Sequence, residues 1–244
     1  MKTFESHYLA IGHRGASGYA PENTMAAFRK AHELGADGVE LDVQLSKDDR
    51  VVIMHDDRIN RTTNGSGYVK DKTLKELVEY DAGGWFSDEY RNERIPTLEE
   101  LFDYATGRML VDVELKKSKN PEALVRAVKK LADAFQNYQD CLFTSFDVAT
   151  VNAVLRIMPK ARCGLLIDTY SHAVWEGAWP FVAAKTRLIK NDLFQASQEH
   201  NKFLIAWTAN DEEEMKRLRH VGVGRIITNY PDMAKKVHQE IKKS

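Results

Sequence analysis

The sequence predicts an α/β fold, a TIM (β/α)8 barrel. Strand-like and helix-like segments alternate almost throughout its 244 residues, and about eight such pairs fit, the usual size of a closed barrel. No Pro/Gly/Ser-rich linker divides the chain, so we expect one domain over 1–244. A doubly wound sheet is the structural alternative. It usually opens with a GxGxxG phosphate loop, which is not present.

Short apolar runs predict the barrel strands. These runs are YLAIG (8–12), GVELDV (38–43), MLVDVEL (109–115), CLFTS (141–145), RCGLLI (162–167), TRLI (186–189), FLIAWT (203–208) and RIIT (225–228). Helical patterns occupy 23–34, 97–105, 122–135, 148–158, 193–200 and 211–221. Strands that alternate with helices predict a parallel sheet with right-handed crossovers.

One strand-like run, VVIMHDD (51–57), breaks this alternation. Only SKDDR separates it from the second strand, whereas a parallel crossover needs about a dozen residues. We therefore expect an antiparallel hairpin that returns His55 toward Asp42. The long stretch that follows contains NGSG, a short helical pattern and GGWF. Because a structureless loop of that length is unusual, 58–96 is predicted to be a small inserted subdomain after strand 2.

Composition excludes several classes of protein. The formal net charge is -1, without the basic excess typical of nucleic-acid binders. No apolar run approaches the roughly 20 residues of a membrane helix, so no stable membrane insertion is expected. The first residues lack the apolar centre of an export signal, which favours a cytoplasmic location. Cys141 and Cys163 lie in apolar runs and are predicted to be buried and reduced.

Acidic side chains occur on two strands that otherwise read as buried. Glu40 and Asp42 alternate onto one face of GVELDV, and Glu114 has the same placement in MLVDVEL, one step beyond Asp112. Strands of parallel sheets have no solvent face except at their ends, and barrels carry their catalytic groups at the C-terminal ends. Crowded carboxylates resist ionisation unless a cation binds them. Oxygen ligands predict a hard ion, Mg²⁺ or Ca²⁺, at Glu40, Asp42 and Glu114.

Further polar residues fall at the same predicted ends. His13 and Arg14 follow the first strand, Lys116 follows the third, Trp207 ends the seventh, and the hairpin adds His55. Histidines suit general acid and base catalysis, whereas arginine and lysine together suit a phosphate. With a metal ion, this set of residue types indicates phosphoryl transfer. Trp207 is interpreted either as ordinary core or as a wall of the barrel mouth.

Several spaced motifs resemble the glycerophosphodiester phosphodiesterases, in the order of that family. They are HRGASGYAPENT (13–24), ELDVQLSKDDRVVIMHDD (40–57), RTTNGSG (61–67), ELK (114–116), WTAND (207–211) and ITNYPD (227–232). The resemblance runs from near residue 8 to about 232. The segment 168–190 matches poorly. Where the family often has glycine before the WT strand, this chain has EHNK (199–202), in which Asn201 can supply the left-handed turn.

The resemblance implies a site and a reaction. It implies a divalent metal at Glu40, Asp42 and Glu114, an acid/base pair of His13 and His55, and phosphate contacts from Arg14 and Lys116. The family cleaves glycerophosphodiesters, its small-molecule substrates, to glycerol 3-phosphate and an alcohol. The implied course is attack by the glycerol 2-hydroxyl on phosphorus, followed by opening of the cyclic phosphate by water. Which histidine is the base, the headgroup, the metal and the oligomeric state are left open.

Two other functions compete with this one. A lysophospholipase D type activity would use the same fold and chemistry but needs an apolar channel or patch, for which the insertion offers Trp85, Phe86 and Tyr90. A non-catalytic barrel that binds phosphodiesters would be marked by loss of a histidine or an acid, and none is lost here.

Overall fold

The computed structural model describes residues 2–241, which form a barrel closed by pairing of the first two strands. The strands are β1 Leu9–His13, β2 Gly38–Leu45, β3 Val51–Ile53, β4 Leu110–Leu115, β5 Cys141–Ser145, β6 Arg162–Ile167, β7 Phe181–Lys185, β8 Phe203–Trp207 and β9 Arg225–Thr228. Around the barrel they run β1-β2-β4-β5-β6-β7-β8-β9, each parallel to its neighbours, and β3 pairs with the edge of β2. The predicted (β/α)8 barrel is confirmed.

Helices pack around the outside of the barrel. They are α1 Met25–Glu33, α2 Leu74–Leu77, α3 Leu98–Ala105, α4 Pro121–Phe135, α5 Val148–Ile157, α6 Asn191–Glu199, α7 Glu212–Val221 and α8 Pro231–Ile241. The sequence patterns anticipated all but the last, which follows β9. Short polar side chains start several of them: Thr97 and Glu100 form a capping box at α3, and Asp147 caps α5. Within residues 2–241, no helix is both long and apolar enough to cross a membrane.

The alternation of side chains on β2 and β4 divides acids from apolar residues. In the parallel register Glu40 lies beside Asp112 and Asp42 beside Glu114, so the carboxylates form two layers inside the barrel. Val39, Leu41 and Val43 point the other way, into the apolar layer between strands and helices. The same alternation therefore builds the outer core and brings the acids inside.

Apolar residues close the barrel interior below these acids. Phe4 and Phe181 pack edge to face at 6.4 Å, and Phe181 stacks on Phe203 at 5.0 Å. Leu110 and Ile227 belong to the same buried cluster. The interior is thus a packed core at its N-terminal end and polar only toward the C-terminal mouth.

The sixth barrel strand was predicted at the wrong place. The strand is Phe181–Lys185, and part of the predicted run, Thr186–Leu188, is instead a 3₁₀ helix. Residues 181–184 are all buried and pair with β6 and β8. Two alanines, which favour helices, sit at its centre, so propensity obscured a strand that tertiary pairing holds. In contrast, the left-handed backbone expected at Asn201 is confirmed, with φ 53°.

The hairpin after β2 is confirmed. β3 pairs antiparallel with β2, Leu45 lying opposite Val51, and the Met54 N–H donates to the Asp42 carbonyl. Between β3 and α3 the chain forms α2 and two 3₁₀ turns over a separate buried cluster that includes Ile59 and Leu77. This cluster supports the proposal that 58–96 is a small subdomain inserted into one domain over 1–244.

Candidate active site

Three buried carboxylates meet at the C-terminal mouth of the barrel. Glu40, Asp42 and Glu114 each offer an oxygen, and these oxygens lie within 4.8 Å of one another. All three side chains are nearly inaccessible to water. The structure thus brings together the three residues predicted as metal ligands, and no other such group of acids, histidines or cysteines occurs within residues 2–241.

Crowding of these acids disfavours their ionisation. Burial, and then the Asp42 carboxylate, raise the pKa of Glu114 to about 7. Burial, and then the carboxylates of Asp42 and Glu114, raise the pKa of Glu40 well above its ordinary value. Burial alone would also raise the pKa of Asp42, but the charges of Lys116 and Arg14 lower it. A divalent cation would relieve the remaining repulsion, and its oxygen donors are already in place. The residues therefore fit a hard metal ion.

Two cations flank the acids. Lys116 Nζ lies 2.7 Å from Glu114 Oε1 and 3.2 Å from Asp42 Oδ1, while Arg14 Nε lies 3.3 Å from Asp42 Oδ2. The Arg14 backbone N–H donates to Glu40 Oε2 at 3.0 Å, from a left-handed conformation with φ 53°. Both predicted phosphate-binding residues therefore lie against the acid cluster from different strands.

The two histidines are each anchored through Nδ1. His13 Nδ1 lies 2.8 Å from Asn229 Oδ1, which can only accept, so Nδ1 carries the proton and Nε2 is left at 4.0 Å from Glu40. Burial and then the Arg14 charge lower the pKa of His13 to about 4. His55 Nδ1 lies 2.6 Å from Asp56 Oδ1. This arrangement turns the Nε2 atom of each ring away from its anchor and leaves it free to exchange a proton.

A chain of ion pairs links His55 to Arg14. Arg61 Nε donates to Asp56 Oδ2 at 2.8 Å, and its Nη1 and Nη2 both donate to Glu22 at 2.8 Å. Glu22 also accepts from Arg14 Nη1 at 2.7 Å. The Arg61 hydrogen bond, followed by that of His55, depresses the pKa of Asp56 far below its ordinary value. The insertion, through Arg61, therefore helps to position a histidine and an arginine of the barrel.

Trp207 reaches the mouth from the opposite side. Its Nε1 donates to the Ala183 carbonyl at 2.9 Å, and the edge of Phe146 meets its ring at 5.3 Å. Lys185 Nζ lies 5.8 Å from the ring centroid. Within residues 2–241 no hydrogen bond or ion pair joins Trp207 to the acid cluster. Because β8 lies diametrically opposite β4 in the barrel, Trp207 faces the acids across the mouth, whereas Phe146 follows β5, the neighbour of β4.

Sequence similarity to known proteins shows the family of this chain. The sequence model described as "Glycerophosphoryl diester phosphodiesterase family" matches residues 13–233. The chain belongs to this family. It is 37% identical over 235 residues to a glycerophosphodiester phosphodiesterase of Caldanaerobacter subterraneus, covering 92% of this chain and 95% of that one. It is 35% identical to a glycerophosphodiester phosphodiesterase of Bacillus altitudinis, covering 95% and 98%.

A solved structure of a phosphodiesterase agrees in fold. The phosphodiesterase of Oleispira antarctica, in complex with the product sn-glycerol-3-phosphate, superposes with a TM-score of 0.89 at 30% identity, covering 94% of this chain and 96% of that one. The family and the enzyme class predicted from the motifs, a glycerophosphodiester phosphodiesterase, are confirmed by these matches.

The sequence analysis did not identify several residues that shape the candidate active site. Asn23, just before α1, has φ 57° and donates from Nδ2 to Asp42 Oδ2 at 2.8 Å. Its Oδ1 is buried without a hydrogen-bond partner among the described residues. Thr24 is the N-cap of α1. Asn229 and Phe146 follow β9 and β5 directly, so their place at strand ends was the available signal.

Proposed function

We propose that this enzyme hydrolyses glycerophosphodiesters to sn-glycerol 3-phosphate and an alcohol in a metal-dependent reaction. The observation that carries the proposal is the buried cluster of Glu40, Asp42 and Glu114, flanked by two cations and two anchored histidines. The complex of the Oleispira antarctica phosphodiesterase with sn-glycerol-3-phosphate supports the same product. A cytoplasmic location stays a prediction.

Glu40, Asp42 and Glu114 would hold the ion, Mg²⁺ or Ca²⁺. When bound, such an ion polarises a phosphoryl oxygen and offsets the charge that develops during transfer. The surrounding protein supplies fixed orientation: Asn23 holds one Asp42 oxygen and Lys116 the other. Outer hydrogen bonds of this kind set ligand direction and basicity.

Arg14 and Lys116 are the proposed phosphate ligands. Both side chains lie against Asp42 and are largely buried, so both charges are already partly desolvated. Arg14 can offer a planar pair of N–H groups to two phosphate oxygens, while Lys116 acts as a point charge. Their attraction for the phosphate would place phosphorus between His13, at the end of β1, and His55, which follows β3.

The histidines are proposed to move the protons. One removes the proton of the glycerol 2-hydroxyl, whose oxygen then bonds to phosphorus, and the other gives a proton to the departing alcohol oxygen. Water then opens the cyclic phosphate with the two roles reversed, which leaves glycerol 3-phosphate. Hydrogen bonds from His13 Nδ1 to Asn229 Oδ1 and from His55 Nδ1 to Asp56 Oδ1 fix the rings for this exchange. Trp207 and Phe146 would pack against the glycerol carbon atoms.

The test is release of glycerol 3-phosphate from glycerophosphocholine and glycerophosphoethanolamine, with Mg²⁺, with Ca²⁺ and with EDTA. We expect chelator-sensitive product, and a loss of roughly 100-fold or more in Asp42→Asn at a fixed metal concentration. Asp103→Asn, an exposed site on α3, is the matched control and should keep full activity. Product formation that ignores EDTA, or an Asp42→Asn enzyme with unchanged metal dependence, would refute the proposal.

His13→Ala separates an enzyme from a barrel that only binds its ligand. We expect this variant to retain glycerol 3-phosphate binding by calorimetry while turnover falls at least about 100-fold. Unchanged turnover would remove His13 from the mechanism.

A further inference from the structure

A cavity of about 450 Å³ opens next to the acid cluster, on the β2–β4 side of the barrel mouth. The turn of the β2–β3 hairpin, the residues directly after β4 and the first part of the insertion form its walls. Lys116 is shared, because it lines this cavity and also contacts Asp42 and Glu114. The cavity therefore adjoins the proposed phosphate site through Lys116.

Positive charge predominates in this cavity. Its charged lining residues are Lys47, Lys70, Lys116, Lys117 and Lys119, with Asp49 and Asp57. The charge of Lys116 is offset by the acid cluster, and the charge of Lys47 interacts with the Glu76 carboxylate. Lys70, Lys117 and Lys119 form no ion pair within 4.0 Å of a carboxylate of residues 2–241.

Several lysines on the outer helices, by contrast, are paired with carboxylates of their own helix. Lys129 pairs with Asp133 along α4, and Lys216 pairs with Glu212 along α7. The cavity lysines instead come from three separate segments and converge on one space. Leu124, in the first turn of the 15-residue α4, also lines the cavity. An anion placed here would meet uncompensated charge from several directions.

The position of the cavity identifies which part of a substrate it would receive. A phosphodiester bound at Arg14 and Lys116 has two arms that leave phosphorus in different directions. The aromatic rings of Trp207 and Phe146 meet over one part of the mouth, at the ends of β8 and β5, and the lysine cavity lies beside the ends of β2 and β4. The glycerol arm suits the aromatic rings, so the alcohol arm lies toward the lysines.

We propose that this cavity binds the alcohol moiety and selects alcohols that carry a second anionic group, such as a phosphate ester. The proposal rests on the proposed function and adds the substrate class to it. Charge at a partly solvated site acts on both affinity and encounter rate, and salt screens it over about 10 Å. The selectivity should therefore shrink as ionic strength rises.

The experiment compares glycerophosphoinositol with glycerophosphoinositol 4-phosphate, which differ only in the second phosphate. We expect wild-type kcat/KM to favour the 4-phosphate by about tenfold or more, as for two lysine–anion contacts at a partly solvated site. Lys70→Glu/Lys119→Glu should abolish that preference. Lys160→Glu, at the N-terminal end of β6, is the matched control and should keep the preference.

A milder double variant controls for misfolding caused by the charge reversals. Lys70→Gln/Lys119→Gln should lose part of the preference, with an unchanged urea midpoint as evidence of folding. Equal wild-type rates on the two substrates, or a double variant that slows both alike, would overturn the cavity proposal and leave the proposed function standing.

Binding separates the two proposals further. Calorimetry with myo-inositol 4-phosphate should show an affinity that Lys70→Glu/Lys119→Glu lowers about tenfold and that 0.5 M salt also weakens. Because this measurement needs no turnover, it tests the cavity proposal even if neither diester is hydrolysed. Absence of hydrolysis would refute the proposed function instead. Equal affinity in wild type and double variant would overturn the cavity proposal.

Discussion

Replacing Asp112 by asparagine should flatten the dependence of stability on pH in the metal-free protein. Asp112 lies on β4 beneath the acid cluster, accepts a hydrogen bond from Thr144 at 2.9 Å, and is 1% exposed. Burial, and then the carboxylates of Glu114 and Asp42, raise its pKa from the ordinary 3.8 to about 7, against the Thr144 hydrogen bond. The folded state therefore favours the protonated acid.

The sign and size of the effect follow from this pKa. Between the ordinary value of 3.8 and about 7 the folded protein binds a proton that the unfolded chain has lost, so stability falls as pH rises through that window. Each tenfold difference in proton affinity corresponds to about 1.4 kcal/mol, so the whole loss from Asp112 is about 4 kcal/mol. Between pH 5 and pH 8 it amounts to about 2.5 kcal/mol. Asparagine has no such titration.

The assay is urea unfolding in EDTA at pH 5 and at pH 8. We expect the free energy of unfolding of wild type to drop between the two by about 2.5 kcal/mol more than that of Asp112→Asn. Asp103→Asn, exposed on α3, should retain the wild-type difference. If Asp112→Asn and wild type lose the same free energy from pH 5 to pH 8, burial does not hold a proton on Asp112 and the reasoning fails.

Three further predictions test the surroundings of the site. Asn23→Ala removes the amide that holds Asp42, and should raise the metal concentration needed for half-maximal activity roughly 10- to 100-fold with a matched Asn64→Ala unaffected. Asp56→Asn breaks the link between His55 and Arg61, and should lower kcat by about tenfold or more with little change in KM, whereas equal losses in both would indicate a binding role. Trp85 and Phe86 of the insertion are exposed and would be needed by a lysolipid substrate, whereas the proposed function does not use them. We therefore expect activity on glycerophosphocholine that Trp85→Ala leaves unchanged and no activity on lysolipid micelles; cleavage of the micelles that Trp85→Ala abolishes would contradict this.

The comparison of sequence and structure is clearest at β2. Alternation along a strand is a local property, so GVELDV alone placed Glu40 and Asp42 on one face and their apolar neighbours on the other. Loop length is also local, and the five residues before Val51 were too few for a crossover, which predicted the hairpin. By contrast, β7 was misplaced because its alanines are buried by neighbouring strands rather than marked by propensity.

The sequence by itself therefore determined the barrel, its family and the residue types that meet at its mouth. Only the tertiary structure decided that Asn23 holds Asp42, that Arg61 reaches Glu22 from the insertion, and that Lys70 and Lys119 share one cavity. The physical reason is the distance along the chain. Periodicity and loop length act over a few residues, whereas these contacts join loops that follow different strands and meet only when the barrel closes.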